Sequence, residues 1–210
     1  IKNGHIQVAC LPSPRRHLTP GEDFEPMSKE ATNAEISRRL KMVVHWLAAQ
    51  CDPDPAIPKI LAAHLLIHGA KISDTQEATQ ESIGLGWDDL AGPWSYIALG
   101  DVHKHQTRMV NGVPACYAGS LDRIDFGEER DKKGWIEVEL RWLDQGGENP
   151  RWEPMIDHYR GVVLHPTPAR KFVTIPPDEL NAVLLYDDLA DKLTAPIVRC
   201  KGTVTQEEYD

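Results

Sequence analysis

Apolar positions along this chain fall into short runs of two different periods. Ile6-Gln-Val-Ala-Cys10 alternates loosely and reads as a strand closed by Leu11-Pro12. From Thr32 the period changes. Ile36, Leu40, Val43, Val44 and Leu47 form the stripe of an amphipathic helix, and Thr32-Asn-Ala-Glu35 has the form of a capping box. Arg38, Arg39 and Lys41 lie mostly off that stripe, as a solvated face. Cys51 to Pro58, with three prolines, ends the helix. Lys59-Ile-Leu-Ala-Ala-His64 follows as a short buried strand, so strand, helix and strand together predict an α/β layer.

Further along, Trp87-Asp-Asp-Leu90 predicts one helical turn, and the apolar run Tyr96-Ile-Ala-Leu99 stops at Gly100. Asn111-Gly112, between Thr107–Val110 and Pro114–Tyr117, is the strongest hairpin signal in the chain. Lys133 to Trp142 alternates apolar and charged residues as one half-exposed strand, and residues 151–159 and 169–175 read as two more. Pro176-Pro177 marks a linker, Asp178 to Leu193 a helix with Asp178 at its N-cap, and Ala195 to Val204 a strand. Thr205-Gln-Glu-Glu208 reads as the first turn of another helix. Residues 13–31 carry Pro14, Pro20, Gly21 and Pro26 among charges and predict a long solvated loop that includes Arg15, Arg16 and His17.

Composition narrows the class. With 41% hydrophobic and 26% charged residues the chain is globular, not disordered. No apolar run approaches the ~18 residues needed to span a bilayer, and no signal peptide opens the sequence. Four cysteines without C-x-x-C spacing predict reduced thiols and a cytoplasmic protein. A net charge of -9 argues against non-specific coating of nucleic acid by the whole surface, while leaving room for a local basic strip. The opening residue is Ile1, not Met, which predicts a piece of a longer protein.

Candidate chemistry concentrates after Gly100. A buried strand that ends in a glycine turn places polar groups at the C-terminal edge of a sheet, where open α/β folds bind ligands. Asp101, His103 and His105 alternate, so an extended chain would point all three the same way. Carboxylate and imidazole together suit a hard or borderline divalent cation. His64 is a second histidine at a strand end, whereas His68 reads as structural.

The motifs then resemble one family when taken in order. They are Ala63-His64, Tyr96-Ile-Ala-Leu-Gly100 with His103-Lys104 and Gln106, Tyr117-Ala-Gly-Ser120, Arg123-Ile-Asp-Phe-Gly-Glu128, and Lys132-Lys-Gly-Trp135. This series resembles the second half of the SbcD-type DNA-repair nucleases, within the calcineurin-like metallophosphoesterase superfamily. The resemblance runs from about Ile6 to Leu140 and returns weakly at Pro166–Ile175 and Ile197-Val-Arg199. It implies an α/β (α+β) fold, part of a four-layer αββα sandwich over residues 1–177, with the start of a small α/β capping domain over 178–210. It also implies a site for two divalent metal ions, Mn2+ foremost and Mg2+ second. The implied activity is metal-dependent hydrolysis of DNA phosphodiesters, with DNA and an SbcC-type ATPase as partners and a homodimer in the full-length protein.

Residue by residue, His64 and His103 match histidine ligands of the family, and Asp101 stands where the family has the first histidine of its glycine-His-x-His motif. His105 stands where proline is common and is a weaker ligand candidate. Gly119, Ser120 and Arg123 match the rim that would face phosphate. The family's earlier motifs, including the Gly-Asn-His-Asp that supplies the acid for the leaving group, do not precede Ile6. Since the chemistry needs two cations about 3.5–4 Å apart, the chain by itself is expected to be inactive and to hold no catalytic residue. Asp101 also motivates an alternative, a catalytically impaired scaffold that docks the ATPase or DNA. A phosphatase or cyclic-nucleotide phosphodiesterase of the same superfamily fits the metal residues equally well, and fits Arg123 to Glu128 and the start of the capping domain less well.

Overall fold

The computed structural model describes residues 5–14, 28–73, 83–143, 151–154, 161–179 and 196–202. The fold is mixed α and β, mostly sheet with one long helix. Its centre is a five-stranded sheet built from β1 (Gln7–Leu11), β2 (Lys59–His64), β5 (Tyr96–Gly100), β6 (Gln106–Val110) and β7 (Val113–Tyr117). The strand order is β1-β2-β5-β7-β6, with all neighbours parallel except the β6–β7 hairpin. Asn111 and Gly112 both take positive φ, 47° and 81°, as the two-residue turn of that hairpin requires.

Between β1 and β2 runs α1 (Lys29–Ala49), which makes the strand-helix-strand crossover that the apolar periods predict. The helix begins four residues earlier than the Thr32 capping box implies. Ser28 is the N-cap, its hydroxyl accepting from Ala31 N at 3.2 Å, and Thr32 N already donates to Ser28 O at 2.9 Å. Lys29, Glu30 and Ala31 are good helix formers, so nothing delays the start. Glu35 is held instead by Arg38 and Arg39, each at 2.7 Å, and its carboxyl is drawn down to about 2 by those guanidinium groups. Ile36, Leu40 and Val44 are buried as predicted, while Val43 is exposed and Asn33 joins the buried side.

One sheet face carries Ala9, Leu61, Ile97 and Ala115 in one register row and Leu11, Ala63, Leu99 and Tyr117 in the next, and these eight side chains join the core on which α1 packs. Tyr117 ties in β3 (Leu66–Ile67), its hydroxyl donating to Leu65 O at 2.8 Å and accepting from Ile67 N at 2.9 Å. β3 pairs with β4 (Gly84–Leu85), and a 3-10 turn at Trp87–Leu90 follows where one helical turn is predicted. Over the opposite sheet face, β8 (Gly134–Val138) lines an open apolar pocket of about 270 Å³ with Tyr96, Ala98 and Cys116.

The stretch Lys133–Trp142 is two strands, not one. β8 ends at Val138, Glu139 N–H still bonds Gly161 O at 3.1 Å just before β11 begins, and β9 (Leu140–Leu143) then turns to a different partner. β9 pairs antiparallel with β10 (Arg151–Pro154), and β8 with β11 (Val162–Pro166), a strand not read from the sequence, with Pro166 at its end and Pro168 just beyond. β12 (Phe172–Ile175) pairs parallel with β13 (Ile197–Cys200), so this ladder crosses the boundary expected after residue 177. A 3-10 turn covers Pro177–Glu179. The remainder of the predicted 178–193 helix, the turn at 205–208, and Arg15, Arg16 and His17 lie outside the described residues. Among the described residues no helix is long and apolar enough to cross a membrane.

Candidate functional site

The C-terminal ends of the parallel strands meet at one edge, where His64 of β2 lies in register with Gly100 of β5. A Cβ on Gly100 would stand 2.7 Å from His64 Nδ1, so glycine there lets the imidazole lie across the strand end. Asp101 follows at φ 96°, a backbone conformation uncommon for a residue with a side chain. Its carboxylate faces His64, Oδ1 to Nε2 at 3.8 Å, close enough for charge attraction but beyond a hydrogen bond.

That positive φ overturns the expectation that Asp101, His103 and His105 project together. Residues 101–105 are not a strand, and the period-two alternation has no extended backbone to act on. Val102 is buried at 1% exposure and pins the loop, and the three side chains go to different partners. His103 Nδ1 meets Glu128 Oε1 at 2.7 Å. His105 Nδ1 meets the carbonyl of Tyr117 at 3.0 Å, and because a carbonyl only accepts, this nitrogen carries the proton. Lys104 reaches Asp131 at 3.2 Å, whose other oxygen accepts from Ser73 at 2.6 Å.

Gly119, Ser120 and Arg123 sit beneath this loop and hold it. Gly119 has φ 83°, and a Cβ there would lie 2.8 Å from His103 O and 3.0 Å from His105 N. Ser120 Oγ donates to Asp122 O and accepts from Lys133 Nζ, both at 2.8 Å. Arg123 donates to four backbone carbonyls, those of Glu128, Asp131, Ala169 and Arg170. Its guanidinium works as a clamp between loop segments, which leaves little of its donor fork for phosphate.

The most buried polar group at this edge had no role assigned from sequence. Glu128 is 1% exposed and Lys133 3%. Lys133 Nζ lies 2.8 Å from Glu128 Oε2 and also donates to His103 O at 3.2 Å. In sequence Glu128, Asp131 and Lys133 sit in a run of charges that resembles a solvated loop. Only the place of Glu128 and Lys133 in the motif series could have signalled otherwise.

Nitrogen and oxygen donors of His64, Asp101 and His103 suit a divalent cation chemically. Among the described residues, however, no three His, Cys, Asp or Glu side chains lie close enough together to hold one. The edge therefore presents scattered donor groups and not a closed cage. No family model matches the chain.

Proposed function

We propose that this chain is the C-terminal part of the catalytic domain of an SbcD-type nuclease, within an αββα metallophosphoesterase sandwich, and that its parent hydrolyses DNA phosphodiesters with Mn2+. The observation that carries the reading is the sheet edge itself. His64 stands at the end of one parallel strand and His103 just past the end of its neighbour, and His103 is braced by a buried carboxylate. Metal-ligating histidines characteristically donate their second nitrogen to such a group. The motif series in chain order adds the family assignment.

In this reading His64 and His103 hold metal and Asp101 contributes an oxygen at the same edge. The metal ions, when bound, supply Lewis acidity and activate water. The chain's own part is to fix two imidazoles at the sheet edge and to keep the loop beneath them rigid through Gly119, Arg123 and Lys133. The acid for the leaving group and the remaining ligands come from elsewhere in the parent, as do the contacts with an SbcC-type ATPase and the second protomer.

Calorimetric titration with Mn2+ and a DNA-end degradation assay test this. The parent protein binds two Mn2+ ions and degrades linear DNA, whereas this chain alone does not hold both ions and leaves DNA intact. A parent without metal-dependent cleavage would sink the nuclease reading. The Asp101 substitution favours a second reading, a scaffold that has lost catalysis, and two tightly bound Mn2+ ions would contradict it.

A further inference from the structure

The geometry points to Glu128 as a positioning residue that sets the tautomer of His103, and with it which ring nitrogen carries the lone pair. The inference rests on the metal-binding reading above for its purpose, but not for its geometry.

Glu128 is closed in on every side. Its Oε2 receives the Lys133 ammonium at 2.8 Å and the Ile124 N–H at 3.2 Å, and its Oε1 faces His103 Nδ1 at 2.7 Å. Beside a buried ammonium the carboxylate is an acceptor on both oxygens. The proton of the 2.7 Å contact therefore sits on Nδ1, and the ring's lone pair is on Nε2. The imidazole is 37% exposed and its anchor 2%, so the ring is the accessible member of the pair.

The turn that carries Glu128 is fixed independently. Asp125 Oδ1 caps it by accepting from Gly127 N at 2.7 Å, and Arg123 Nε donates to Glu128 O at 3.1 Å. Phe126 packs edge-on against Phe172 of β12 at 4.9 Å, under the guanidinium of Arg199 of β13 at 4.4 Å. The β12–β13 ladder thus holds the residue that holds His103.

A substitution turns this arrangement into a sharp expectation. In Glu128→Gln the amide has one oxygen for two donors, Lys133 and Ile124, and its NH2 must then face His103. His103 Nδ1 becomes the acceptor and the proton moves to Nε2. The His105 ring, whose Nδ1 donates to Tyr117 O, is unaffected and serves as the internal reference.

Long-range 1H–15N correlation spectra of the full chain, at a pH where the rings are neutral, read the tautomers directly. The expected result is Nδ1–H for His103 and His105 in the wild type, with His103 alone inverted in Glu128→Gln. A wild-type His103 protonated on Nε2 overturns the inference without any variant, which covers the case of a Glu128→Gln chain that fails to fold. An unchanged His103 tautomer in a folded Glu128→Gln chain overturns it as well. Adding Mn2+ separates the two levels. Broadening of His103 in the wild type, with a midpoint moved about 10- to 100-fold in Glu128→Gln, supports both. Equal broadening in the two proteins overturns the positioning role. Tautomers as expected with no Mn2+ broadening at His103 or His64 defeat the metal reading and leave the tautomer assignment standing.

Discussion

Two glycines with nearly the same backbone show how local context sets the cost of a side chain. Gly112 has φ 81° and Gly119 φ 83°. A Cβ at Gly112 meets nothing within 4 Å, whereas at Gly119 it strikes the backbone of His103 and His105. Gly112→Ala should therefore lose only the left-handed penalty of roughly 1–2 kcal/mol. Gly119→Ala should lose clearly more and disturb the His103 loop, and urea denaturation of the two variants checks the order. Removing Glu128 is more severe. Glu128→Ala leaves the Lys133 ammonium buried without its carboxylate and should cost about 3–5 kcal/mol in the same assay. None of this was legible from composition. A charge run in sequence carries no sign of which members are buried, because burial depends on residues far along the chain.

At the scale of elements, periodicity worked where an element has one buried and one open face. The α1 stripe is of this kind, since the solvent writes the pattern directly into the sequence, whereas in β1 the alternating Ile6 and Val8 are exposed and Ala9 and Leu11 face the core. Boundaries were less legible. α1 begins at Lys29 because Ser28 caps it, and Ser28→Ala should lower stability by about 1 kcal/mol, with helix signal in circular dichroism reporting the loss. The alternation across Asp101 to His105 failed because a single positive φ destroys the period. Tyr117 joins elements in a way no pattern reveals. Tyr117→Phe leaves Leu65 O and Ile67 N without their shared hydroxyl, and should cost roughly 1–3 kcal/mol by thermal or urea unfolding.

Over the whole molecule, buried ionisable groups predict how stability varies with pH. Burial raises the hydroxyls of Tyr96 and Tyr117 above their ordinary value of 10.0 and the Cys116 thiol above 9.0. In the unfolded chain these groups ionise at their ordinary values, while the folded chain keeps the protons. Their contribution is fully present below those values and is lost as pH rises through 9 to 10 and beyond. Each group should then cost about 1.4 kcal/mol per pH unit. Urea midpoints measured across that range should fall, and Tyr96→Phe should flatten the slope. An unchanged slope in that variant would mean that burial of Tyr96 is not its cause.

The sequence by itself determined the α/β crossover, the Asn111-Gly112 hairpin and the end of β5 at Gly100. Each of these depends on local conformational preference or on a one-sided solvent contrast, which neighbouring residues encode. It also singled out His64, Asp101 and His103 as candidate metal ligands. Tertiary structure alone decided which of these meet. It set His64 against Asp101, turned His105 toward Tyr117, and put His103 on a buried Glu128 that arrives from twenty-five residues away. It also made Arg123 a clamp on backbone carbonyls. Contacts between distant segments depend on how whole elements pack, and a pattern read along one chain does not contain them.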